Sequence, residues 1–221
     1  MENYILSEDD SHKLYKLLHE VVRLFEKNNI KYWASGGTFL GAIRCKGIIK
    51  WDDDLDLCVL YKDKEKIKKI IERENSLLFD DSKTTLVDKI RYKIDKYPFV
   101  DIFFMVPELE YGQKVYKCAE KIARDTWKNE RYLERELVPL RKTKFGAMEI
   151  TIPNEYERYF LSYFGENWNK KGVISYDHKK DELIRPKIIW MLKASDYEPA
   201  TPFYREESFE DMGGKNRWWQ F

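Results

Sequence analysis

Four aspartates are concentrated in the segment Asp52–Asp56, at the start of an apolar run that ends at Leu60. Side chains alternate between the two faces of a β-strand, so Asp54 and Asp56 are expected on the same face. Two carboxylates that share a face repel each other unless a cation lies between them. Mg²⁺ and Mn²⁺ prefer oxygen ligands. The spacing therefore predicts a Mg²⁺ or Mn²⁺ site formed by Asp54 and Asp56.

Two other interpretations of the acidic segment are weaker. Asp52, Asp54 and Asp56 match the first, third and fifth positions of an EF-hand calcium loop, but the sixth position, which requires glycine, is Leu57. The second alternative is a solvated acidic loop. Asp56 argues against such a loop because it lies inside the apolar run.

A glycine pair precedes the acidic segment. Gly36, Gly37 and Thr38 lie between a predicted strand and a predicted helix. Backbone amides at a helix N-terminus bind phosphate, and glycine lets the phosphate approach the backbone. Most glycine pairs form simple turns, but this pair is followed closely by the paired aspartates. A phosphate site beside a metal site is the arrangement that chemistry at phosphorus requires.

Asp101 is a third candidate carboxylate, because it lies in the apolar run PFVDIFFMV (residues 98–106). An unpaired charge buried in a strand is unfavourable by several kcal/mol, as an order of magnitude. Backbone amides or a lysine could compensate the charge. We favour a metal shared with Asp54 and Asp56.

The elements that position these residues follow from hydrophobic periodicity and from capping residues. Ser7 and the acidic residues after it predict the start of a helix. Further along, the pattern predicts strands at 30–35, 55–60, 86–94 and 99–106 and helices at 38–44 and 62–74. The fold class is therefore α/β (α+β), a mixed sheet flanked by helices.

The second half of the chain is predicted to be mainly helical. We predict a helix over 116–137, a hairpin over 144–152, a helix over 153–164 and an irregular tail over 177–221, where proline and glycine are frequent. The prediction is thus a catalytic core at 1–107 and a mainly helical C-terminal region at 108–221, packed together as one two-lobed unit.

Composition excludes several classes of protein. The chain has 221 residues and a net charge of +1, so a dedicated nucleic-acid-binding protein, which needs a basic surface, is not expected. The sequence shows neither a long apolar segment nor a secretory signal. Three cysteines without CxxC spacing argue against a disulfide framework or a zinc ribbon.

Three segments together resemble the LicD/fukutin-related family. They are GGTFLGAIRCKGIIKWDDDLDL (residues 36–57), VDIFFMVP (100–107) and FGAMEITIPNEYERYFLSYFGENW (145–168). The resemblance implies a nucleotidyltransferase-type fold. It also implies the transfer of a phospho-group, such as phosphocholine or ribitol phosphate, from a CDP-linked donor to a sugar hydroxyl of a glycan.

The resemblance also implies roles for individual residues. Gly36, Gly37 and Thr38 match the loop that binds the donor phosphates. Arg44 matches a position that would neutralise the diphosphate, whereas Lys46 and Lys50 are expected to be either diphosphate ligands or solvated loop charges.

The family's metal ligands match Asp54 and Asp56, with Asp52 as an accessory ligand. Asp101 matches a later strand aspartate, which would serve as a metal ligand or as the general base that deprotonates the acceptor.

Other residues have open roles. His178 is a candidate to approach the site, His12 and His19 are expected to be structural, and the many aromatic residues include enough tryptophan and tyrosine to hold a choline group. Without the membrane anchor and the zinc insertion of the larger eukaryotic relatives, the protein is expected to be cytoplasmic.

Two alternative functions stay open. The first is a nucleotidyltransferase that adds a nucleoside monophosphate to a small molecule or RNA. The second is a catalytically silent module that binds a nucleotide or a glycan.

Overall fold

The computed structural model describes residues 4–81 and 86–205. Its helices are α1 (Glu8–Lys27), α2 (Gly36–Arg44), α3 (Lys64–Glu72), α4 (Lys121–Thr126), α5 (Glu134–Leu137) and α6 (Glu157–Phe164). Its strands are β1 (Tyr32–Ala34), β2 (Leu55–Leu60), β3 (Leu77–Asp80), β4 (Asp88–Tyr92), β5 (Phe99–Glu110), β6 (Gln113–Cys118), β7 (Arg131–Leu133), β8 (Arg141–Phe145), β9 (Met148–Ile152), β10 (Lys171–Asp177) and β11 (Glu182–Met191).

One mixed sheet of seven strands forms the centre of the molecule. Five strands follow the order β1-β2-β5-β4-β3, and β6 and β7 extend the sheet from the second half of β5. The β2–β5 pair is parallel, and the other pairs are antiparallel. The predicted mixed sheet flanked by helices is therefore confirmed.

Helix α1 begins where the sequence predicted. The Ser7 side chain accepts a hydrogen bond from the Asp10 N–H, and acidic residues occupy the first turn. Its apolar face is buried through residues Leu14, Leu17, Leu18, Val21, Val22 and Phe25. The helix contacts β4 and β5, so it covers part of one face of the sheet.

The C-terminal half differs from the prediction. The expected helix over 116–137 is wrong, because this segment forms the end of β6, the short helices α4 and α5, and β7. Antiparallel pairing of β6 with β5 on one side and with β7 on the other decides in favour of a strand. The region is therefore not mainly helical, and the predicted boundary at residue 107 falls inside β5.

Two hairpins complete the structure. The predicted hairpin is present as β8–β9, and α6 ends at Gly165 as expected. The predicted irregular tail is wrong up to residue 191, because β10 and β11 form a second hairpin. The remainder of that prediction, beyond residue 205, lies outside the described residues.

The three cysteines are free and buried. Among the described residues, no helix combines the length and the apolar character that a membrane span requires.

Candidate active site

The register of β2 and β5 brings the predicted carboxylates together. Asp56 lies directly opposite Asp101 on the neighbouring parallel strand, and paired residues point to the same face of a sheet. Asp54 lies just before β2. One carboxylate oxygen from each of Asp54, Asp56 and Asp101 falls within 4.8 Å of the others. The three side chains that the sequence predicted as metal ligands therefore form one cluster.

Burial makes this cluster electrostatically unfavourable in the absence of a cation. The residues Asp54, Asp56 and Asp101 are 8%, 8% and 7% exposed. Burial, followed by repulsion from Asp54 and Asp101, raises the pKa of Asp56 well above its usual range. Burial also raises the pKa of Asp101 to about 6, although the ammonium group of Lys89 opposes this effect.

The donor set fits a hard divalent cation. Three carboxylates in one cluster supply oxygen ligands of the kind that Mg²⁺ and Mn²⁺ prefer. Burial raises the pKa of all three carboxyl groups, and the positive charges of His178 and Lys89 oppose this effect only in part at Asp54 and Asp101.

Lys89, which sequence reasoning missed, lies beside this cluster. Its Nζ is 2.6 Å from Asp101 Oδ1 and lies over the ring of Phe99, 3.4 Å from the centroid. The β4–β5 register places Lys89 opposite Asp101. A lysine in a polar strand gives no signal in the sequence, since only the pairing of the two strands identifies its partner.

His178 contacts the acidic segment from the end of the β10–β11 hairpin. Its Nδ1 lies 2.7 Å from Asp53 Oδ1, and its backbone N–H donates to Asp53 Oδ2 at 2.8 Å. Its Nε2 is 3.2 Å from Asp54 Oδ2. Burial lowers the pKa of His178, but Asp54 and Asp53 together raise it to about 9. Asp53 thus anchors the hairpin to the acidic segment.

The glycine pair packs tightly against the aspartates. The Gly37 N–H donates to Asp56 Oδ2 at 3.1 Å, and the Gly36 N–H donates to the hydroxyl of Tyr159 at 3.0 Å. A Cβ atom at Gly36 would overlap Asp56, and one at Gly37 would overlap Asp52. Glycine is therefore required at both positions because two carboxylates approach the backbone.

The other predicted phosphate ligands occupy different environments. Gly37 and Arg44 line the cleft described below. The Thr38 hydroxyl is 2% exposed and accepts the Asp56 N–H at 2.8 Å, so it fixes the backbone of β2.

Arg44 faces the cleft with donor capacity that is not used. Its Nη1 donates to the carbonyl of Trp168 at 3.2 Å, and its guanidinium lies 5.4 Å from the ring centre of Trp51. Its Nε is buried and makes no hydrogen bond with the described residues.

Several candidates lie away from the carboxylate cluster. Lys50 bonds to Ser195 and Glu198, and Lys46 is exposed. His12 and His19, which both lie on α1, pack near Tyr204. Asp52, by contrast, lies beside the cluster: it lines the same cleft, and burial followed by repulsion from Asp54 raises its pKa well above the usual range.

A cleft of about 1530 Å³ opens above the carboxylates. Its walls carry many aromatic side chains, namely Trp51, Tyr97, Phe99, Phe103, Trp127, Tyr163, Phe164, Trp168 and Tyr176. One wall is the β10–β11 hairpin, whose alternate residues Lys171, Val173, Ser175, Lys187 and Ile189 face the cleft. The sequence interpretation missed this wall because it treated residues beyond 177 as irregular.

Comparison with known proteins identifies the family. The family described as LicD/FKTN/FKRP, nucleotidyltransferase domain, matches residues 29–155, which is more than half of the chain. The chain belongs to this family. The matched range includes the candidate site residues from Gly36 to Asp101. Helix α6 and the β10–β11 hairpin lie beyond it.

Individual relatives agree with this assignment. An uncharacterized protein of Rickettsia prowazekii is 32% identical over 206 residues, covering 91% of this chain and 74% of the relative. The mouse ribitol 5-phosphate transferase FKRP is 28% identical over 156 residues, covering 66% of this chain and 30% of FKRP. The lipopolysaccharide cholinephosphotransferase LicD of Haemophilus influenzae is 56% identical over 34 residues, covering 15% of this chain and 13% of LicD.

These relatives bear on two predictions. The resemblance to the LicD/fukutin-related family is confirmed. The prediction of an enzyme agrees with the named relatives, which are transferases. This chain spans only a minor part of the length of those two transferases.

Proposed function

We propose that this chain is a divalent-metal-dependent transferase that moves a phospho-group from a CDP-activated donor to a hydroxyl of a glycan. The observation that carries the proposal is the buried cluster of Asp54, Asp56 and Asp101 inside a domain of the LicD/FKTN/FKRP family. The transferred group is phosphocholine or a polyol phosphate, by analogy with the cholinephosphotransferase and the ribitol 5-phosphate transferase to which the chain is similar.

Asp54 and Asp56 would hold Mg²⁺ or Mn²⁺, with Asp52 as an accessory ligand. When bound, the metal offsets negative charge on the phosphate groups of the donor. Arg44 supports this assignment, because its buried Nε makes no hydrogen bond with the described residues and its guanidinium faces the cleft. Arg44 would therefore orient the diphosphate beside the carboxylates.

The reaction is a displacement at phosphorus. The acceptor hydroxyl oxygen forms a bond to the phosphorus of the transferred group, and the bond from that phosphorus to the CMP oxygen breaks. CMP leaves with the electron pair, and the hydroxyl proton passes to a carboxylate. Asp101 has one of two roles: it completes the metal site, or it accepts this proton.

A ligand screen by thermal shift tests the proposal. CDP-choline, CDP-ribitol, CDP-glycerol and CTP are each compared with and without Mn²⁺. Ligands that bind only the folded state raise the melting temperature. We expect a metal-dependent increase with one of these donors, loss of that increase in Asp54→Asn, and retention in Asp88→Asn. Asp88 is a suitable control because it pairs with Lys64 away from the cluster.

Other outcomes would contradict the proposal. If only nucleoside triphosphates stabilise the protein and a nucleoside monophosphate appears on the acceptor, the chain is a nucleotidyltransferase. If no nucleotide binds in the presence of metal, the chain is a silent binding module.

A further inference from the structure

Glu130 is a buried carboxyl group outside the carboxylate cluster. It lies just before β7 and is 2% exposed. Its Oε1 accepts a hydrogen bond from the Ser35 hydroxyl at 2.6 Å, and its Oε2 accepts one from the Tyr159 hydroxyl at 2.7 Å. The Cys58 Sγ lies 3.5 Å from Oε1. Side-chain donors therefore satisfy both oxygens of this carboxyl group.

The direction of the hydrogen bonds in this network is determined. The Tyr159 hydroxyl has one proton, which it donates to Glu130, so its oxygen accepts the Gly36 N–H at 3.0 Å. The alternative contact between Tyr159 and Ser35 is longer, at 3.3 Å. Tyr132 donates to Ser35 at 3.1 Å, and Ser35 donates to Glu130. Each donor in turn points toward Glu130.

The network ends at the metal-binding carboxylates. Gly36 is the first residue of α2 and has a φ of +46°, a conformation that favours glycine. The next amide, Gly37 N–H, donates to Asp56 Oδ2 at 3.1 Å. Because Gly37 follows Gly36 directly, a shift of Gly36 would move the amide that donates to Asp56.

We propose that Glu130 and Tyr159 are positioning residues that hold the Gly36-Gly37 turn, and through it the Asp56 carboxylate, in the geometry required for metal binding. This inference rests on the proposed function, because metal affinity is the property that the network controls. Tyr159 belongs to α6, beyond the part of the chain that matches the family. Helix α6 thereby acts on the site through Tyr159 without contributing a ligand.

Isothermal titration of Mn²⁺ into the full chain tests the inference. Tyr159→Phe keeps the ring and removes the acceptor of the Gly36 N–H. We expect the dissociation constant for Mn²⁺ to rise about tenfold, as is typical when a group that supports a metal ligand is lost. Glu130→Gln should have a similar effect, because its amide group must present N–H to a neighbour that is already a donor.

Tyr15→Phe is the matched control. Tyr15 is 2% exposed like Tyr159, accepts a backbone N–H from Ile48 at 2.8 Å and donates to the carbonyl of Ala200 at 3.1 Å. Its loss should lower the melting temperature to a similar extent and leave the affinity for Mn²⁺ unchanged. If Tyr159→Phe and Glu130→Gln bind Mn²⁺ as the wild type does, the network is merely structural and the inference is wrong.

A measurement on the metal-free protein separates this inference from the proposed function. If the wild type binds no Mn²⁺, the proposed function fails, and amide hydrogen exchange decides the inference. Faster exchange of the Gly37 amide in Tyr159→Phe, with no change in Tyr15→Phe, would support positioning by Tyr159. Unchanged exchange at Gly37 would overturn it.

Discussion

Two groups of buried carboxylates adjoin the Gly36-Gly37 turn, and their charges are balanced in different ways. Asp54, Asp56 and Asp101 face one another, and repulsion adds to burial in raising the pKa of Asp56. Glu130 stands alone among hydroxyl groups. Burial raises its pKa, but the neighbouring hydroxyl groups of Ser35, Tyr132 and Tyr159 oppose that effect.

This difference in charge balance distinguishes a candidate binding site from a carboxylate that only stabilises the fold. A satisfied buried carboxylate stabilises the fold through its partners, and removing its charge leaves those partners unpaired. A cluster of repelling carboxylates destabilises the metal-free fold, and this cost favours the proposal that a cation binds there. The same chemical change, from acid to amide, should therefore have opposite effects in the two groups.

The largest expected effect concerns catalysis. Asp56→Asn should lower the rate of phospho-group transfer by about 10³-fold or more, because metal coordination contributes several kcal/mol to stabilising charge in the transition state. The rate is measured with the donor that the ligand screen identifies. Asp88→Asn, on the adjacent strand β4, serves as the control and should retain the wild-type rate. A comparable loss in both variants would show that the effect is not specific to the cluster.

The second prediction compares the stability of the metal-free protein at pH 8. Asp56→Asn removes a repelling charge, and its side-chain oxygen can still accept the Gly37 N–H. Its melting temperature should rise by about 2–4 °C, equivalent to about 1 kcal/mol. Glu130→Gln should lower the melting temperature by about 4–8 °C, since a buried hydrogen-bonding group loses its partner at a cost of about 2 kcal/mol.

Calorimetry in the presence of a chelator measures both shifts. Shifts of the same sign would remove the distinction between the two groups.

The third prediction concerns pH. The pKa of Asp101 is raised to about 6 in the folded protein, above the ordinary value of 3.8. Its contribution to the stability of the metal-free protein is therefore fully present below about pH 4 and is lost as the pH rises through 6. Metal binding should show the opposite trend and weaken below about pH 6, because protons compete for the same oxygen.

Titrations of Mn²⁺ and melting curves between pH 4 and pH 8 measure the two trends. Asp101→Asn should abolish the step in metal-free stability between these values. A step of the same size in that variant would assign it to another group.

The sequence predicted the parts of the site that depend on short-range pattern. Alternation within β2 identified Asp54 and Asp56, and an aspartate in an apolar run identified Asp101. The glycines were predicted to lie at the start of a helix, and Gly36 is the first residue of α2. Their close approach to Asp52 and Asp56 depends on tertiary packing and could not be predicted.

The remaining features depend on contacts between distant segments. Glu130 lies in the polar sequence KNERY, which is typical of an exposed turn, but it is buried against Ser35, Cys58 and Tyr159 from distant segments. The segment at 116–137 carries charges at helical spacing, but pairing of β6 with β5 outweighs that local preference. His178 was a candidate, and its contact with Asp53 required the unpredicted hairpin.

Isothermal titration of Mn²⁺ into the wild-type chain and into Asp54→Asn tests the central claim most directly. Asp54 is the residue shared by both groups of potential ligands, with Asp56 and Asp101 on one side and with Asp53 and His178 on the other. The account predicts saturable binding to the wild type and no measurable binding to a folded Asp54→Asn variant. Equal binding by the two proteins, or none by either, would contradict the assignment of a metal to this cluster.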